Sequence, residues 1–80
     1  MERDAVKLKL TEVFQRMFAD DHLEIHDAMT ASDVEGWDSL THINLILAVE
    51  RAFKIRMTTR EARGMKNVGD MINLVASKAA

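Results

Sequence analysis

Eighty residues, 48% of them apolar and none of them cysteine or proline, describe one small globular domain over residues 1–80 and exclude disulfides, thiolate nucleophiles and zinc–thiolate sites. No apolar run approaches the roughly 20 residues of a membrane span, and the charged start Met1-Glu2-Arg3-Asp4 leads into no signal-type core. A reduced, cytoplasmic protein that stabilises itself by packing alone is expected, too small for the deep pocket of most enzymes.

The first element runs from about Asp4 to Phe18. Val6, Leu10, Val13 and Met17 recur at helical spacing, with Phe14 and Phe18 widening the stripe and Lys7, Lys9, Glu12 and Arg16 on the other side. From Ala19 to Asp38 the pattern breaks into a long loop, and loops of that length in small domains are usually functional or disordered. Leu23, Ile25 and Met29 predict that it is pinned to the core.

A second helix starts after Asp38, whose carboxylate suits an N-cap, and runs to about Phe53. Leu45, Val49 and Phe53 form one stripe. Leu40, Ile43, Ile46 and Leu47 carry apolar character further round than one buried face requires, so the helix is either central or presents part of itself to a ligand or partner. Lys54 to Met57 is a linker. Thr58-Thr59-Arg60-Glu61 fits a capping box, and the helix it opens is short because Gly64 follows within a turn or so. Asn67 caps a last helix whose inward stripe is Val68, Met71, Ile72 and Val75, helped by Leu74, with fraying after Ser77. The fold class is all-α: three longer helices, one short one, and a long first loop.

The sequence where that loop meets the second helix is Gly36-Trp37-Asp38-Ser39-Leu40. With the Leu45/Val49/Phe53 stripe, the Ile55–Met57 link, the short helix from Thr58 and the last helix from Asn67, it resembles the acyl carrier proteins and related peptidyl carrier domains. The resemblance covers nearly the whole chain and implies the carriers' four-helix bundle. It also implies that a phosphopantetheinyl transferase esterifies Ser39 with the 4′-phosphopantetheine part of coenzyme A. Acyl groups then ride as thioesters on the thiol of that arm, and acyl-loading and acyl-processing enzymes meet the carrier at the helix beginning at Ser39. Asp38 and Leu40 complete the motif. The resemblance implies a carrier and not an enzyme, expected to act as a monomer.

Elementary physics agrees. A serine in the first turn of a helix sits among unpaired amides at the positive end of the dipole, which favours an anionic phosphodiester. Asp38 serves equally as N-cap. Leu40 is expected to pack and fix the first turn, and Trp37 to anchor the loop over the core. A helix-start serine is by itself most often only a cap, and the pattern around Ser39 is what turns the reading towards attachment.

Other constellations are weaker. His22 and His26 are four apart, but the segment is irregular and the ligand set incomplete, so no metal is expected. The acid-rich loop lacks the glycine and ligand alternation of a calcium site. His42 follows Ser39 by one turn, but no Gly-x-Ser-x-Gly elbow exists, and His42 is expected to be exposed. The six methionines suit an adaptable core.

The net charge of −2 hides a split: residues 1–40 carry −6 and residues 41–80 carry +4. No Lys or Arg occurs between Arg16 and Arg51, which argues against nucleic acid as a partner, although the cluster from Arg51 to Lys66 keeps a small helical nucleic-acid binder as an alternative. An unmodified helical interaction module is the other. Carriers of fatty-acid biosynthesis usually place acids along the helix after the serine. Here Thr41, His42, Asn44, Glu50 and Arg51 are expected on that face, and only Glu50 is acidic. This departure predicts a specialised pathway, with polyketide, aminoacyl or unusual lipid cargo.

Overall fold

The computed structural model describes residues 1–79. Helices α1 (Arg3–Met17), α2 (Ser39–Phe53), α3 (Thr59–Gly64) and α4 (Val68–Lys78) follow one another, and one 3-10 turn, Ala31–Asp33, interrupts the long loop between α1 and α2. Helix α1 packs against both α2 and α4.

The core is built from one stripe per long helix. Val6, Leu10 and Phe14 of α1 meet Leu45, Val49 and Phe53 of α2 and Val68, Met71, Ile72 and Val75 of α4. Each such side chain contributes about 1.5–3 kcal/mol on burial. The α1 stripe is turned slightly from the expected one: Phe14 is fully buried, while Val13 and Met17 flank the core half-exposed. Among the described residues, no polar or charged side chain is buried.

Helix starts follow the expected chemistry. Asp38 caps α2, and Asn67 Oδ1 accepts the Asp70 amide at 2.8 Å to cap α4. The Thr58 capping box is complete, with Thr58 Oγ1 accepting from the Glu61 amide at 3.1 Å and Glu61 Oε1 accepting from the Thr58 amide at 2.9 Å. Glu61 also pairs with Lys78 at 3.0 Å, tying α3 to the end of α4.

Helix ends fall within about a residue of the expected ones, but their caps do not follow that chemistry. The short helix ends at Gly64, as expected, but Gly64 is its last residue and has no positive φ; the chain leaves through extended Met65. The left-handed conformation appears instead at Ala19 (φ 51°) and Lys54 (φ 55°). After α1, the Ala19 amide donates to Arg16 O and the Asp20 amide to Gln15 O, a Schellman motif. After α2, the Lys54 and Ile55 amides both reach Glu50 O. Helix α4 runs one residue past Ser77.

The long loop is pinned as expected through Ile25 and Met29, both buried; Leu23 is only partly buried, and Val34 is a further buried anchor. Polar ties add to this. Gln15 Nε2 donates to Leu23 O at 3.0 Å. The Arg3 guanidinium reaches both Asp27 Oδ2 (2.9 Å) and Asn73 Oδ1 (2.7 Å). The Val68 and Gly69 amides, which open α4, donate to Met29 O (2.8 Å) and Asp27 O (2.9 Å). The loop carbonyls thus satisfy amides that have no acceptor within α4. Glycine at 69 is what permits the approach, because a Cβ there would stand 3.0 Å from Asp27 O.

Candidate functional site

The loop is brought to α2 by a tight turn. The Trp37 amide donates to Val34 O at 3.2 Å, and Gly36 takes φ 88° at the position where a type II turn requires a positive value. Asp38 is extended, and its Oδ1 accepts the Thr41 amide at 2.8 Å. That bond holds the Asp38 carboxyl below its ordinary value. The Asp38 carbonyl accepts from the His42 amide at 2.8 Å, so the amides of Ser39 and Leu40 are left without a backbone acceptor. Ser39 itself is exposed, as the first residue of α2.

Beside Ser39 lies a cleft of about 570 Å³. Trp37, Ile43, Met65 and Met71 supply its apolar surface, and Arg63 and Lys66 its positive charge. These last two residues bring the basic stretch of the sequence to the serine. Their convergence was hidden in the sequence because it depends on how the α3–α4 connection returns across α2.

Trp37 is the expected anchor. Its indole stands edge-on to Phe14 (centroids 5.3 Å, planes 83° apart) and 6.1 Å from Phe18. It also walls the cleft.

Three expectations are corrected. His42 is not an exposed side chain but half-buried, with both ring nitrogens engaged. Trp37 Nε1 donates to His42 Nδ1 at 3.1 Å, which leaves the proton on Nε2, 3.2 Å from Ala62 O. Neither nitrogen remains to take a proton from Ser39, so the Ser39–His42 pair lacks the base a hydrolase needs. Leu40 does not pack in the first turn. It is 70% exposed, because the core stripe of α2 starts at Leu45 and Leu40 projects from the opposite face. Glu50 is not a free acid on the outer face, since its Oε2 accepts the Met57 amide at 2.9 Å and fastens the linker after α2. His22 and His26 are both exposed in the loop.

No family model matches the chain. It is 33% identical over 67 residues to the acyl carrier protein of Clostridium acetobutylicum, covering 84% of this chain and 87% of the relative. It is 24% identical over 78 residues to the acyl carrier protein of Prochlorococcus marinus, covering 98% of each. The fold superimposes with a TM-score of 0.86 on the solution structure of a holo acyl carrier protein from Geobacter metallireducens, at 38% identity over 91% of this chain and 84% of that one. Four helices in this order, an exposed serine opening the second, and relatives matched along nearly their whole length lead to one conclusion: the chain belongs to the acyl carrier protein family, whose members are carriers and not enzymes.

Proposed function

We propose that Ser39 is the attachment point of a 4′-phosphopantetheine arm and that the protein carries acyl intermediates between partner enzymes. The observation that carries this reading is the position of Ser39: exposed, in the first turn of α2, beside a cleft that holds Arg63 and Lys66. An anionic phosphodiester on its Oγ would meet the positive end of the helix and two cations. Asp38, whose Oδ1 caps the helix, holds that turn in place, and exposed Leu40 offers apolar surface next to the serine. When bound, the group supplies a terminal thiol for thioester formation. The chain's own part is to present the hydroxyl and to be recognised.

The pathway is a specialised one. The end of α2 and the linker after it carry Arg51, Lys54 and Arg56, and the one acid there, Glu50, is tied to the backbone. The partners are a phosphopantetheinyl transferase and acyl-loading and acyl-processing enzymes that meet α2, and the carrier works as a monomer over residues 1–80. No helix among the described residues is long and apolar enough to cross a membrane.

Intact mass after incubation with coenzyme A and a broad-specificity transferase tests the attachment. A gain of one phosphopantetheine group, absent in Ser39→Ala, is expected; no gain, or a gain that survives the substitution, overturns it. Malonyl transfer by a housekeeping fatty-acid transferase tests the pathway. Slower turnover than with that organism's main carrier is expected, and equal turnover contradicts a specialised role.

A further inference from the structure

The outer face of α2 is more apolar than a solvated helix requires. Leu40, Ile43 and Leu47 are 70%, 59% and 50% exposed. They follow one another at helical spacing, and the next step of the same stripe is Arg51. The run from Leu40 to Arg51 is about 17 Å long at 1.5 Å per residue. Beside its far end, α1 and α2 leave a groove of about 470 Å³ lined by Val13, Arg16, Met17, Ala48, Arg51 and Ala52. The small side chains of Ala48 and Ala52 leave the groove open, and one arginine stands on each helix.

Neither arginine pairs with a carboxylate among the described residues; the ion pairs are Arg3–Asp27 and Lys78–Glu61, elsewhere on the surface. Glu12, one turn before Arg16, makes no such pair with it. Lys9, 5.2 Å from the centre of the Phe53 ring, and exposed Lys54 add to the positive charge at this end. The other end of the stripe is mixed in sign, with Asp33, Glu35 and Asp38 exposed and Arg63 and Lys66 in the cleft beside Ser39. An extended polyanion lying along α2 would have to cross the uncharged Leu40–Leu47 stripe and pass these acids, so the Arg16/Arg51 end is complementary to a bounded acidic patch on a protein and not to a nucleic acid or an anionic bilayer.

We propose that α2 docks partner enzymes that present an apolar ridge for Leu40, Ile43 and Leu47 and, about 17 Å from the Ser39 end, carboxylates for Arg16 and Arg51. This rests on reading the chain as a carrier that meets enzymes at α2. It adds the sign of the partner's charge and the residues that read it.

Two synthetic amphipathic helical peptides test it, sharing one apolar face and flanked by Glu in one and Lys in the other. They are titrated into the unmodified ¹⁵N-labelled protein. The Glu peptide is expected to shift the amides of Leu40, Ile43, Leu47 and Arg51, to bind about tenfold more tightly than the Lys peptide, and to weaken as salt rises from about 0.05 to about 0.3 M. The double variant Arg16→Glu/Arg51→Glu, changed only at exposed positions and verified as folded by circular dichroism, is expected to invert the preference. Equal binding of the peptides, shifts confined to other faces, or a preference the double variant leaves unchanged overturns the proposal. So does tighter binding at Arg16 and Arg51 to anionic phospholipid vesicles than to the Glu peptide. Because no arm is needed, failure here leaves the mass gain at Ser39 intact, and failure of that gain leaves peptide binding intact.

Discussion

Trp37 donates its indole N–H to His42 Nδ1 across 3.1 Å, and His42 passes the connection on through Nε2 to Ala62 O at 3.2 Å. The loop that precedes Ser39, the helix that carries it and the short helix opposite are thereby joined at one imidazole. The cleft beside Ser39 keeps its walls through this joint, since Trp37 and His42 both line it.

His42→Ala is expected to lower stability by about 1–3 kcal/mol, because it removes both bonds and leaves the indole N–H unpaired. Trp37→Phe keeps a ring against Phe14 and loses the bond, about 1 kcal/mol. Urea denaturation followed by circular dichroism measures both. A His42→Ala protein as stable as the parent would contradict the joint.

Two glycines are expected to respond with opposite sign. Gly69→Ala puts a Cβ 3.0 Å from Asp27 O and 3.1 Å from Asp27 Cβ, forcing the loop off the start of α4. It costs about 1–3 kcal/mol. Gly64→Ala meets nothing within 4 Å and has no positive φ to lose, so it adds about 0.5–1 kcal/mol through the helix and the unfolded chain. The shift of the urea midpoint reads each sign.

Stability falls in acid partly through Asp38. Its folded value lies below the ordinary 3.8, chiefly through the Thr41 amide. The contribution is therefore complete above the unfolded value and is lost as pH falls through the folded one. Asp38→Asn keeps a neutral acceptor at the cap and removes that titration. Its stability, measured between about pH 6 and pH 2.5, should fall less steeply than the parent's.

Leu40 and Leu45 separate docking from packing. Leu45 is fully buried, and Leu45→Ala is expected to cost about 2–5 kcal/mol. Leu40 is 70% exposed, so Leu40→Ala changes stability by less than about 0.5 kcal/mol. It is expected instead to slow modification of Ser39 by the transferase, which a rate measurement at subsaturating carrier detects.

Much of this architecture was legible in the residues. The four-residue spacing of Leu45, Val49 and Phe53 and the caps Asp38, Thr58 and Asn67 act within a turn of chain, so local pattern reveals them. The helix ends were legible to within about a residue, but their caps were not, because the chain turns after α1 and α2 at Ala19 and Lys54, neither of which advertises a left-handed conformation. That conformation costs a non-glycine residue about 1–2 kcal/mol, which the surrounding packing must offset. Gly69 is explained by a backbone 42 positions away in sequence, at Asp27. Spacing marked Leu40 and Leu47 as apolar but not as uncovered, since exposure depends on which neighbours α2 receives. His42 and Glu50 likewise look like surface residues until Trp37, Ala62 and the Met57 amide are brought to them.

Attachment at Ser39 is tested most directly by peptide mapping of the protein isolated from the cells that make it. The sequence contains three serines, Ser32, Ser39 and Ser77, so the modified residue is read without ambiguity. The carrier account predicts a phosphopantetheine group on the peptide containing Ser39, with a free thiol or an acyl thioester at its end. An unmodified Ser39 throughout, or the group on Ser32 or Ser77, would contradict it.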